Sequence, residues 1–185
     1  MGASKPHSRR ARDMKISRSV KVRASAEKAW EVIGPGFADV DRWASNVFVS
    51  TSRAGQTKPG APTAGRNCET SQGPFREEIV EYDEDGMRIV YSVQGDNAPG
   101  FVRSIVARWN IRPNETSNCV ADMEMNAEIA APFNFLMGWL IKQNFGKAID
   151  ESLEEFKYYV ETGKIHPRKI KADKSKKAQA VRRAA

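Results

Sequence analysis

Cysteine and histidine are nearly absent, with two of each in 185 residues. Cys68 and Cys119 stand 51 residues apart with no CxxC pair, and His7 and His166 fall outside the patterned part of the chain. Neither a zinc site nor a nucleophile activated by histidine is expected from such a set. The two thiols read instead as small buried residues in a reducing compartment. No apolar run approaches the ~20 residues that cross a bilayer, and no apolar segment follows the N-terminal arginines as it would in a secretory leader. The expectation is a cytoplasmic protein. A glycine-rich loop that could cradle phosphate is missing too, which argues against nucleotide chemistry. The length allows one ordinary globular domain with tails.

Charge is present but unevenly spread. The net charge is +7, yet residues 1–13 carry +3 and residues 164–185 carry nine Lys/Arg against Asp173, a net of +8. The stretch between them is therefore mildly acidic, at −4, and a basic nucleic-acid face is not expected on it. Both ends lack the large apolar residues that could offset the entropy of ordering, so disorder is expected at 1–13 and 164–185, around a domain at 14–163. The C-terminal tail has no aromatic residue to stack on bases. Its expected partners are limited to weak electrostatic contact with nucleic acid or an anionic membrane.

Within 14–163 the periodicity is legible. Ile16, Val20 and Val22 alternate with polar residues, the signature of a half-buried strand, with Arg18 the odd member on the apolar parity. Ser25 is placed to cap a short helix bearing Ala29, Trp30 and Ile33; Gly34-Pro35-Gly36 ends it before a second short helix, Phe37 to Trp43. A strand is expected at Asn46–Ser52, followed by a Gly/Pro-dense loop. Strands at Arg66–Gln72, Phe75–Asp83, Met87–Gln94 and Phe101–Arg112, separated by turn residues, indicate an antiparallel meander. The last strand puts Ala121, Met123, Met125, Ala127 and Ile129 on one face and Glu124 and Glu128 on the solvated other. From Asn134 to Thr162 the period becomes helical: Phe135, Trp139, Phe145, Ile149, Leu153, Phe156 and Val160 recur over roughly 43 Å of helix. Gly163 follows at the position of a helix-ending glycine.

One strand, two short helices, six strands and one long helix make an α+β layout, with a seven-stranded curved antiparallel sheet around the C-terminal helix. This order resembles the helix-grip fold of the START-related superfamily. That superfamily includes the birch-pollen allergen, the polyketide cyclase/dehydrase and lipid transport family, abscisic acid receptors and lachrymatory factor synthase. The local pattern is similar to that of the receptor and synthase branch: Arg66 seven residues before Gly73, Glu77 six before Asp83, and Tyr91 eight after Asp83. The resemblance implies that Arg66 and Glu77 point into, or flank, a cavity between sheet and helix. Arg103 stands where those relatives usually have tyrosine, and Gly95–Gly100 has no counterpart of the receptors' gate and latch, so hormone perception is not expected.

Two function classes follow. In the first, Arg66, Glu77, Tyr91 and Arg103 are the polar minority of an apolar cavity lined by Trp43, Val93, Trp109, Met123, Met125, Phe135 and Trp139, and the protein carries or senses a small hydrophobic molecule of lipid, polyketide or isoprenoid type. In the second, it is a cyclase, dehydratase or isomerase without metal or other cofactor, with Glu77 as general base and Arg66 or Arg103 holding the developing oxyanion. Against both stands a plain structural ion pair between Glu77 and one of the arginines. Periodicity leaves open whether Glu77 or Glu78 faces inward, because Phe75 and Ile79 share the parity of Glu77 while Val80 and Tyr82 lie on the other.

Overall fold

A computed structural model describes residues 12–95, 100–115, 117–131 and 138–184. The strands are β1 (Arg12–Val22), β2 (Val47–Arg53), β3 (Gly65–Thr70), β4 (Gly73–Asp83), β5 (Arg88–Gly95), β6 (Val102–Glu115) and β7 (Asn118–Ile129). They form one sheet in the order β1-β7-β6-β5-β4-β3-β2, with every neighbouring pair antiparallel. Helix α1 (Ala26–Ile33) and a short 3-10 helix (Phe37–Arg42) follow β1, and the long helix α2 (Gly138–Thr162) follows β7. The order of elements expected for residues 14–163 is the order found. None of the described helices is long and apolar enough to cross a membrane.

The core fills the space between the inner face of the sheet and α2. Ser25 caps α1 through a hydrogen bond accepted from the Lys28 amide, and Ala29, Trp30 and Ile33 turn inward. Ile149, Leu153, Phe156 and Val160 form the buried stripe of α2. Phe156 meets Trp43 and Trp109 with ring centroids 5.9 Å and 5.2 Å away, which fixes the helix against the sheet centre. Arg18, on the inner parity of β1, reaches the edge of α2 and pairs with Asp150 at 3.1 Å. Glu124 and Glu128 lie on the outer face, paired with Lys15 and Arg103.

The C-terminal segment departs from expectation. Residues 164–185 read as disordered, yet helices α3 (Pro167–Asp173) and α4 (Lys176–Ala184) pack against the domain. Order comes from cations placed on fixed acceptors rather than from apolar area. The Lys169 ammonium, almost wholly buried, donates to the Val47 carbonyl at 2.7 Å and pairs with Asp173 at 2.8 Å. Arg182 donates to the Phe48 carbonyl and also pairs with Asp173; Lys177 donates to the Ser71 carbonyl. Arg168 bridges Glu154 and the buried Glu155 of α2. Charge-assisted bonds of this kind are roughly twice as strong as neutral ones, and composition alone does not reveal whether their acceptors are in reach. At the other end, β1 begins at Arg12, and the expectation for residues 1–11 lies outside the described residues.

Candidate functional site

Arg66 and Glu77 sit directly opposite each other on β3 and β4. Arg66 Nε donates to Glu77 Oε2 at 2.6 Å, and Arg66 Nη1 donates to the Phe37 carbonyl of the 3-10 helix. The guanidinium lies 4.0 Å from the Phe37 ring centre and 5.4 Å from that of Tyr91, within reach of both aromatic rings. Phe37 and Tyr91 meet edge to face at 5.1 Å. Burial alone would lower the Arg66 pKa, but Glu77 more than offsets it and the guanidinium stays charged. Burial, with Glu77 second, holds the Tyr91 phenol well above its ordinary range against the opposing pull of Arg66. Tyr91 is therefore a neutral hydroxyl at any physiological pH.

The inward direction of Glu77 has a local cause. Its side chain is 13% exposed, whereas that of Glu78 is 47% exposed and faces Arg53 on the outer surface. Between Ile79 and Glu81 the register of β4 against β5 shifts, leaving exposed Val80 as the extra residue of a β-bulge. Odd positions face inward before the bulge and Tyr82 does so after it, which is why the alternation read ambiguously along the sequence. Gly65 permits the close approach of β3 to this stretch: a side chain there would collide with the Glu77 carbonyl.

This polar corner lies in a mostly apolar cavity of about 160 Å³. Of the residues expected there, Trp43, Arg66, Glu77, Tyr91, Val93, Trp109, Met123 and Met125 line it. Arg103 does not. The β6 register shifts between Val102 and Ser104, and Arg103, at this second bulge, points to solvent with a 57% exposed side chain and a 3.8 Å pair with Glu128. Trp139 is 72% exposed; it stands in the first turn of α2, ten residues before Ile149, where the buried stripe of that helix begins. Phe135 lies outside the described residues. Sequence reasoning missed Phe37, Val40, Phe145 and Ile149 in the lining, together with Thr70, Ser71 and Ser152 as further polar members. The signal for Phe145 and Ile149 was present in the helical stripe, but a stripe does not distinguish core from cavity wall.

Cys68, beside the pair on β3, hydrogen-bonds to Ser50, and burial pushes its thiol up to about 11, so it is an inert neutral group. Among the described residues no cluster of His, Cys, Asp or Glu could hold a metal ion.

Sequence comparison matches residues 13–161 to the family described as polyketide cyclase/dehydrase and lipid transport. The chain belongs to the polyketide cyclase/dehydrase and lipid transport family. The match ends at 161, so α3 and α4 lie beyond the family domain. Solved structures similar to this family member include a START superfamily protein from Mycobacterium smegmatis, with a TM-score of 0.67 at 17% identity over 81% of this chain and 99% of that one. A norcoclaurine synthase point mutant from Thalictrum flavum, in complex with a transition-state analogue, gives a TM-score of 0.62 at 16% identity over 82% and 96%. A protein from Thermobifida fusca gives 0.57 at 23% identity over 82% and 97%. These likenesses establish the helix-grip fold. No curated protein matches the sequence.

Proposed function

We propose that this protein binds a small, largely apolar molecule carrying one polar group, as a carrier or sensor. The reading rests on the buried Arg66–Glu77–Tyr91 corner of an aromatic and methionine-lined cavity. A few convergent polar groups in an apolar enclosure orient a ligand while its remaining surface is buried. An apolar cavity of ~150 Å³ takes a molecule of benzene size, so the ligand, or the part of it held here, is of the order of one or two rings. Met123 and Met125 supply a wall that adapts to shape. Family membership supports ligand binding in this space.

Binding fits the corner better than proton abstraction. One oxygen of Glu77 is held by Arg66 at 2.6 Å, which leaves only the other to reach a ligand. Arg66 directs Nε to Glu77 and Nη1 to the Phe37 carbonyl, while the neutral Tyr91 hydroxyl is suited to hydrogen-bond a carbonyl or hydroxyl of the ligand.

Mass spectrometry of the denatured full-length protein, purified under native conditions from its own host, tests the proposal. A small apolar molecule is expected in about equal proportion to protein, absent from Ala107→Trp, which fills the cavity from β6, when that variant keeps the parent circular dichroism spectrum. Equal recovery from the filled variant would place the molecule elsewhere and defeat the reading. A molecule that the parent converts and Glu77→Gln retains unchanged would assign the protein to catalysis instead.

A further inference from the structure

The tail uses its cations in two sets. Arg168, Lys169, Lys177 and Arg182 hold α3 and α4 to the domain. Lys164, Lys171, Lys174, Lys176 and Arg183 are exposed, and their side chains make no ion pair among the described residues. On α3, Lys169 and Asp173 point inward, while Pro167, Ile170, Lys171 and Lys174 fall at i, i+3, i+4 and i+7 on the exposed side. Ile165, just before the helix, is 43% exposed and Ile170 is 44% exposed. The exposed side of the tail thus carries unpaired cations and two exposed isoleucines, on a chain whose residues 14–163 are net acidic.

We propose that this outer face docks the protein on an anionic lipid bilayer. Lysines attract the negative headgroups, and isoleucines between them enter the headgroup boundary, the composition of an interfacial helix. A single-stranded nucleic acid would be met by aromatic or planar stacking groups, whereas branched aliphatic side chains gain nothing from a phosphate backbone. Because the attraction is concentrated on α3 and α4, docking also orients the molecule. Both helices rest on β2 and on Ser71, and Val47 and Ser71 are part of the cavity wall, so this side of the cavity is turned towards the bilayer. The proposal stands on the tail alone and holds whatever the cavity contains.

The test is sedimentation of the full chain with phosphatidylcholine vesicles containing about 30% phosphatidylserine, against pure phosphatidylcholine, at low salt and at about 0.5 M salt. Binding is expected on the anionic vesicles only and should be lost at high salt. Lys171→Gln/Lys174→Gln/Lys176→Gln, none of which holds the tail in place, should weaken it about a hundred-fold, at about five-fold per charge. Ile165→Ser/Ile170→Ser should weaken it about ten-fold. Absence of binding to anionic vesicles at low salt would overturn the proposal. So would unchanged binding by the isoleucine variant together with equal affinity for a DNA duplex, which would reduce the face to a general polyanion site.

Discussion

Arg66 and Lys169 are both cations buried almost completely in ion pairs, one inside the domain and the other beneath the tail, and the difference between their surroundings is instructive. Arg66 borders the cavity: Glu77 has one oxygen committed to the pair, Tyr91 presents a neutral hydroxyl, and all three line that space. Lys169 is not among the residues that line this cavity; its donors meet the Val47 carbonyl and Asp173, and Asp173 is taken up again by Arg182. A buried charge that is fully enclosed by partners holds two pieces of chain together. A buried charge left facing a cavity can also serve a ligand. Burial and pairing alone therefore do not identify a binding site; the side of the pair that borders a cavity does.

The largest effect should come from breaking the inner pair. Arg66→Met leaves the Glu77 carboxylate buried without its partner, and a loss of about 3–5 kcal/mol in stability is expected. Arg66→Met/Glu77→Leu should recover most of it while still abolishing ligand recovery. Urea unfolding of the two variants checks this, and equal destabilisation by both would mean that the pair is not a coupled unit.

Lys169→Met should cost less, about 1–3 kcal/mol, and should cost it locally. Hydrogen exchange is expected to quicken across residues 164–184 while β6 and β7 keep their protection. If protection fell evenly through the sheet, the tail would belong to the same cooperative unit as the cavity and the contrast between the two sites would collapse.

The smallest effect belongs to the arginine that the sequence placed beside Glu77. Arg103→Ala removes an exposed pair at 3.8 Å and should change stability by less than about 0.5 kcal/mol. Ligand recovery should not change. A loss of ligand here would place the cavity mouth near Val102–Ser104 rather than where the lining residues lie.

The order of elements was legible because periodicity reports which face of an element is apolar, and the sheet and the long helix each keep one such face for most of their length. The site was legible in part. Trp43, Tyr91, Trp109, Met123 and Met125 follow from parity and family resemblance together. Glu77 and Arg103 could not be oriented because a bulge lies in each strand, at Val80 and around Arg103, and an extra residue shifts the parity that the reading depends on. Trp139 failed for a different reason: it lies in the first turn of α2, ahead of the buried stripe that begins at Ile149, and periodicity does not show where along its length a helix meets the sheet. The tail failed because its order depends on carbonyls and carboxylates brought near by the fold of the domain, and such acceptors leave no trace in local composition.

The placement of α3 and α4 also bears on how the protein behaves in crowded solution. β2 is an outer strand of the sheet, and such a strand is a template on which another chain can add itself. Lys169 and Arg182 occupy the Val47 and Phe48 carbonyls of that strand, and the helices that carry them cover it. The basic extension thus shields this one edge of the sheet and discourages the addition of another chain along β2, a protection against aggregation supplied from outside the family domain.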